Sequence, residues 1–189
     1  LETFDNDVNF KYDSLYHRYY YNDITLIPVT KFISKFHEKY DTEYWSTKKS
    51  EERGISVEEI LKEWTENNNR ANYIGTSTHN WIENYYNGIW QELPSDIDVI
   101  NRINKFNIIY SNHLYKLTPI KFEVKIFSKI WNIAGTFDSL FLYNDKIIMI
   151  DWKTNCKFTH NDHPDGKWQK LLTPFQDLYK NHHNEYSIQ

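Results

Sequence analysis

The sequence predicts one α+β domain, a mixed α/β arrangement in which helices precede a β-meander. Apolar residues recur at helical spacing over residues 30–112, and three strand-like runs follow over residues 119–152. The chain has 189 residues, 40% of them hydrophobic, which is enough to bury one core. We expect a single domain with a helical N-terminal part at about 1–115, a sheet at about 119–155 and a C-terminal helical part at about 167–189.

The first predicted elements are a short β-like stretch at Ile24 to Ile27 and a helix from Thr30. The helix is indicated by apolar residues at helical spacing, namely Phe32, Ile33, Phe36 and Tyr40. A second helix is expected to begin after Ser56. Serine is a favoured N-cap, and Glu59 lies at the capping-box position.

A third helix is expected after Gly75, with Thr76 or Ser77 as its cap and an end near Gly88. His79 and Glu83 would share one face of this helix because they are four residues apart. Residues 96–112 predict a further helix.

The strand-like runs begin with "IKFEVKIF", and two more follow at about 130–143 and 146–152. Asn144-Asp145 is the turn signal between the last two runs, and both residues tolerate the positive φ of a two-residue hairpin loop. If these two residues form the loop, facing positions have residue numbers that sum to 289. Asp138 would then lie opposite Asp151.

Directly opposite residues of paired strands have Cβ atoms about 5 Å apart, and two aspartates at that separation would repel each other. Lys153 would lie on their face of the sheet, whereas Trp152 would point away. Apolar residues line both faces, so we expect the strands to be covered on both sides. Half-buried facing carboxylates need a shared proton or a cation, and their hard oxygens suit Mg²⁺ or Mn²⁺.

Alternatives to this metal site remain open. The D-x-K tripeptide is common by chance, and Lys153 could be a structural partner of acids at a sheet rim. Glu123-Val-Lys125 is a second acidic-x-Lys, ranked lower because no acid on a preceding strand faces it. The cluster His160-Asn-Asp-His163 could also bind a metal, although its Pro- and Gly-containing surroundings favour a solvated loop.

Charge and cysteine content narrow the classes of function. The net charge is −4, but residues 1–100 carry 10 Lys/Arg against 18 Asp/Glu, and residues 101–180 carry 12 against 7. The basic second half is compatible with a phosphate-bearing partner or with a solvated surface. The single Cys156 excludes an internal disulfide and an iron-sulfur cluster held by four cysteines of this chain. We expect an intracellular protein that is neither secreted nor membrane-bound. The Asn-, Ile-, Lys- and Tyr-rich composition is typical of an AT-rich genome and suggests a virus or a parasite as the source.

These motifs resemble the PD-(D/E)XK nuclease superfamily, in its exonuclease V / RecB-like branch, which includes mitochondrial genome maintenance exonucleases and phage and viral exonucleases. Asp138 in "GTFDSLF" matches the first acid, and Asp151-Trp152-Lys153 matches (D/E)-x-K. "GTSTHNWIE" resembles the helix motif that carries His79 and Glu83. "FEVKIF" matches the acidic strand through Glu123, and "IPVTKFISKFHEKYD" resembles the segment that begins many of these domains.

The resemblance implies a restriction-endonuclease-like core and a Mg²⁺- or Mn²⁺-dependent DNA exonuclease acting on single-stranded ends. Asp138, Asp151, His79 and the Trp152 carbonyl would hold one or two ions, and Lys153 would assist the attacking water. Glu83 and Glu123 are lower-ranked catalytic candidates. RNA is a less expected substrate, through an RNA endonuclease of the cap-snatching kind on the same core. A nucleic-acid-binding module without activity is a third possibility.

Candidates for nucleic-acid binding lie mainly near the C-terminus. Lys157, Lys167 and Lys170 could follow a phosphate backbone, and several aromatic residues could stack on bases, namely Tyr85, Tyr86, Trp131, Trp152 and Trp168. The branch usually continues with Q-x-x-x-Y, and Gln189 matches its Gln. Since the Tyr would lie beyond Gln189, we expect a truncated domain.

Overall fold

The fold opens with three short antiparallel strands in a computed structural model that describes residues 7–155 and 171–174. They are β1 (Phe10–Asp13), β2 (Arg18–Tyr21) and β3 (Ile24–Pro28). Of these strands only β3 was expected within the predicted helical N-terminal part, and β1 and β2 were not predicted. Aromatic side chains of β1 and β2 pack on Phe127, more than a hundred residues away. No local pattern reveals such a contact.

Four α-helices follow within the described residues. They are α1 (Val29–Ile33), α2 (Thr42–Arg53), α3 (Val57–Tyr86) and α4 (Ile97–Asn112). The predicted second and third helices form a single continuous helix, α3. The Ser56–Glu59 capping box of α3 is confirmed. Gly75 lies inside α3, since an interior glycine costs only about 1 kcal/mol, which packing along a 30-residue helix outweighs. The pattern from Thr30 gives only α1 and a 3₁₀ turn, Ser34–Phe36, and α2 was not predicted.

The predicted β-meander is confirmed as β4 (Thr118–Ser128), β5 (Ile133–Tyr143) and β6 (Lys146–Ile150). Strand β5 is central. It pairs with β4 along one edge, and on the other edge with parallel β3 near its start and antiparallel β6 near its end. The β5–β6 register has the predicted sum of 289, and Asn144 and Asp145 both have positive φ. The molecule is thus a mixture of helices and one curled mixed sheet, consistent with the α+β prediction.

The prediction that the last two strands are covered on both faces is wrong. Phe141 is fully buried, but Ile147 and Met149 of β6 are 47% and 63% exposed. Ile147 and Met149 lie two residues apart and share one face of β6, so this face meets solvent.

Apolar contacts hold helix α3 against α4 and against the sheet. Towards its middle, Ile74 packs against α4, and near its end Tyr86 stacks on Phe122 of β4 and meets Phe141 of β5. These contacts position the length of α3 that contains His79 next to the middle of β5. Apart from residues 171–174, the predicted C-terminal helical part lies outside the described residues. No helix in the described ranges has the length and apolarity needed to cross a membrane.

Candidate active site

Three acidic residues form a row across the sheet. Glu123 is on β4, Asp138 is on the central β5, and Asp151 directly follows β6. The neighbours of Glu123 on both sides pair with β5 in the register that puts Glu123 opposite Asp138. On the other edge, the β5–β6 register continued by one step puts Asp151 opposite Asp138. The central carboxylate therefore has an acid on each side.

Glu123 departs from regular strand geometry. Its φ is +50°, a left-handed conformation that costs a non-glycine residue about 1 kcal/mol or more. Burial raises the pKa of the Glu123 carboxyl. Lys125 opposes this shift, while the charges of Asp138 and Glu83 add to it. Glu123 was ranked low from the sequence because no acid on a preceding strand faces it. In the structure the facing acid is Asp138, on the following strand.

Asp138 is fixed from two sides. Its Oδ1 lies 3.2 Å from Nδ1 of His79 on α3, and its Oδ2 accepts the backbone N–H of Trp152. Burial of the His79 ring lowers the pKa of that imidazole, but the hydrogen bond and charge of Asp138, a hydrogen bond with the Trp152 backbone and the charge of Asp151 outweigh it. The net pKa of His79 is raised.

Asp151 and Lys153 form an ion pair beside this group. Both side chains line one groove of about 740 Å³, together with His79 and Asp138. The prediction that Asp138, Asp151 and Lys153 share a face is therefore confirmed.

A second, much smaller cavity of about 10 Å³ lies on the other side of the His79–Asp138 contact. Glu83, Glu123 and Trp152 line it with these two residues. A cavity of this volume accommodates about one water molecule. The catalytic and metal-binding candidates implied by the family resemblance therefore gather at these two spaces, namely His79, Glu83, Glu123, Asp138, Asp151, Trp152 and Lys153.

The donor set has the right chemistry for a divalent cation. Carboxylate oxygens and imidazole nitrogen suit Mg²⁺ and Mn²⁺, and the oxygens of Asp138 keep lone pairs beyond those used for His79 and Trp152. As the side chains stand, no three His, Cys, Asp or Glu residues in the described ranges converge on one point that could hold a metal ion. Lys153 contacts Oδ2 of Asp151, and a carboxylate with two oxygens can bind a cation beside such a partner.

A residue that the sequence did not indicate fixes the strand end of the site. Arg102 of α4 donates from Nε to the Thr154 carbonyl oxygen at 3.1 Å and from Nη1 to the Asp98 carbonyl oxygen at 3.0 Å. Thr154 also lies against Gly75, where an added Cβ would be 3.4 Å from Oγ1. The segment that carries Asp151 and Lys153 is thus attached to α3 and α4. The sequence signal for this role was weak: Arg102 is a charged residue next to Ile103, one of the residues that α4 buries.

Most of the residues proposed to contact nucleic acid lie outside the described residues, namely Lys157, Lys167, Lys170, Trp168 and Gln189. The alternative metal site, the His160–His163 cluster, also lies outside them. Of the aromatic candidates, Tyr86 and Trp152 pack in the core, whereas Trp131 is 70% exposed in the β4–β5 turn.

Comparison with protein-family models, with curated proteins and with solved structures finds no match for this chain. Its function is therefore inferred from the geometry and chemistry of the site.

Proposed function

We propose that this protein is a metal-dependent nuclease of the PD-(D/E)XK type, with a restriction-endonuclease-like core, and that it acts as a DNA exonuclease on single-stranded ends. One observation carries the proposal. Asp138 on the central strand lies between two other acids, Glu123 and Asp151, and lines a groove with Lys153.

The charge balance of this row supports a cation-dependent role. Three carboxylates lie side by side, and like charges in facing positions destabilise a sheet. Burial is the main cause of the raised pKa of Glu123, and the charges of Asp138 and Glu83 add to it. Such an arrangement lowers stability, so we infer that it is retained to bind a cation.

Each residue has a role that its chemistry allows. When bound by Asp138 and Asp151, with His79 and the Trp152 carbonyl as further ligands, Mg²⁺ or Mn²⁺ would supply an acidified water and neutralise phosphate charge. Lys153 lines the groove, where its ammonium can orient the attacking water and stabilise negative charge on the scissile phosphate. Glu83 and Glu123 can accept hydrogen bonds from water in the small cavity.

Incubation of the chain with end-labelled linear single-stranded DNA and Mn²⁺ tests the proposal. We expect metal-dependent release of labelled nucleotides, and a loss of about 10²- to 10³-fold in Asp151→Asn and Lys153→Ala. Matched controls are Asp145→Asn in the β5–β6 turn and Lys146→Ala at the start of β6, and both should keep full activity.

Absence of Mn²⁺-dependent digestion, or an Asp151→Asn variant as active as the parent, would overturn the nuclease assignment. Circular single-stranded DNA and linear RNA of the same sequence complete the substrate set. Cleavage of the circle would indicate an endonuclease, and preference for the RNA would replace DNA as the substrate.

A further inference from the structure

The groove beside the acidic row has two chemically different ends. The catalytic end contains His79, Asp138, Asp151 and Lys153. The other end is enclosed by apolar side chains, Val29, Ile126 and Ile133 among them. A hydroxyl pair also lies there, since Tyr19 Oη and Thr136 Oγ1 are 3.0 Å apart.

Positive charge is confined to the catalytic end. Among the described residues that line the groove, Lys153 is the only lysine or arginine, and the polar groups at the far end are hydroxyls. A polynucleotide backbone carries one negative charge per phosphate and binds where lysine and arginine neutralise it. The far end therefore suits an uncharged group with an apolar face and hydrogen-bonding edges, which is the chemistry of a nucleobase.

The size of the groove agrees with such an occupant. Its volume of about 740 Å³ is in the range of small-molecule sites, which enclose about 300 to 1,000 Å³. A base stacked and paired in a duplex cannot enter a side groove unless it leaves the stack, at a cost of a few kcal/mol. A groove that takes the base therefore selects for a nucleotide that is already unpaired.

We propose that the far end of this groove is a nucleobase subsite, which binds the base of the nucleotide whose phosphate lies at Lys153. The inference rests on the proposed nuclease function and specifies its substrate class as a strand with an unpaired nucleotide at the position of cleavage. Ile126 forms an apolar wall for the base, and the hydroxyls of Tyr19 and Thr136 lie within the same groove to meet its polar edge.

Ala134 offers a direct test, because it lines the far end of the groove and the chain has one other alanine, Ala71. With the alanine methyls labelled with ¹³C, the NMR spectrum of the full chain has two such signals, and Ala71→Ser identifies the signal of Ala134. Titration in EDTA with deoxyadenosine monophosphate is expected to move this signal, through the ring current of the adenine. Deoxyribose 5-phosphate, which has the same phosphate and sugar but no base, is expected to leave it in place.

Two variants of strand β4 locate the effect. Ile126→Thr, on the groove wall, should weaken the response to deoxyadenosine monophosphate at least about 5-fold, since part of the apolar contact is lost. Ile120→Thr is the matched control, because Ile120 has the same 39% exposure on the same strand but does not line the groove. It should respond as the parent does.

Equal shifts with the base-free sugar phosphate, or no shift with the nucleotide up to about 10 mM, would overturn the subsite. An unchanged response in Ile126→Thr would do the same. The titration involves no cleavage, so a base-specific shift in a protein that fails to digest DNA would refute the nuclease and leave the subsite standing.

Discussion

Two clusters of acidic residues in this molecule have opposite electrostatic character. Asp96 and Asp98, at the start of α4, both bind Arg70 of α3, with 2.9 Å from Nη2 to Asp96 Oδ1 and 2.6 Å to Asp98 Oδ2. Asp96 also caps α4. The hydrogen bond from Arg70 lowers the pKa of Asp96, burial opposes this, and the capping hydrogen bonds assist, so the pKa falls to about 2. In the row across the sheet, the pKa of Glu123 is raised instead.

This difference is the basis for proposing that one cluster is structural and the other functional. At α4 the guanidinium of Arg70 binds Asp96 through two hydrogen bonds and Asp98 through a third, so the cluster joins two helices and favours the folded state. In the row, the three carboxylates have single contacts with His79, Lys153 and Lys125 and no bidentate partner. Acids that face one another across a sheet without a bidentate partner are candidates for binding an external cation.

The largest expected effect is the loss of activity when the central acid of the row is neutralised. Asp138→Asn should reduce DNA digestion in Mn²⁺ by about 10³-fold or more, because it removes a charged ligand while the amide still fits. Thermal unfolding should show no loss of stability.

Asp98→Asn is the matched control from the structural cluster. It should keep the activity of the parent. If Asp98→Asn lost activity as Asp138→Asn does, the two clusters would not differ in function.

A second prediction concerns Arg102, which positions the catalytic segment without lining the groove. Arg102→Met should lower kcat by about 10- to 100-fold with little change in KM, since small misplacements of reacting groups have effects of that size. Arg102→Lys should restore part of kcat by donating to the Thr154 carbonyl oxygen. Lys105→Met, exposed on the same helix, should have no effect.

Rescue by lysine separates positioning from general destabilisation. If Arg102→Met lost stability and activity together and Arg102→Lys failed to restore kcat, Arg102 would be a structural residue of α4 only.

How far the sequence predicted this site depends on the range of the interactions. The β5–β6 register followed from Asn144 and Asp145 and from the two-residue period of a strand, so the placement of Asp151 near Asp138 was predictable. The capping box at Ser56 is equally local.

The interactions that were missed are long-range. The hydrogen bond from Arg102 to Thr154 spans 52 residues, and neither position shows a local motif. Gly75 suggested a helix boundary because glycine has a low helix propensity, which is a local property. The helix continues through Gly75 because Ile74 packs on α4, and that contact is long-range. The pairing of Glu123 with the row was missed because the β4–β5 register has no tight turn to define it.

The third prediction tests the structural cluster by pH. The folded-state pKa of Asp96 is depressed, so its contribution to stability is complete above its unfolded value of 3.8 and is lost as the pH falls towards about 2. Asp96→Asn should lower Tm by on the order of 2 to 4 °C at pH 6. This difference from the parent should shrink between pH 4 and pH 2. A difference that is constant over this range would contradict the role of the charge.

The smallest expected effect has the opposite sign. Glu123→Gln removes a charge from the row, so it should raise Tm by about 1 to 2 °C in EDTA. Glu92→Gln, an exposed control, should leave Tm unchanged. The same chemical change, a carboxylate to its amide, would then stabilise the row and destabilise the α4 cluster. That contrast in sign does not depend on activity, because it follows from how each carboxylate is paired in the folded chain. Arg70 binds Asp96 bidentately, whereas the ammonium of Lys125 lies 3.8 Å from Glu123. A fall in Tm for Glu123→Gln would mean that the row is already neutralised by Lys125 and His79, and an external cation would no longer be needed to account for it.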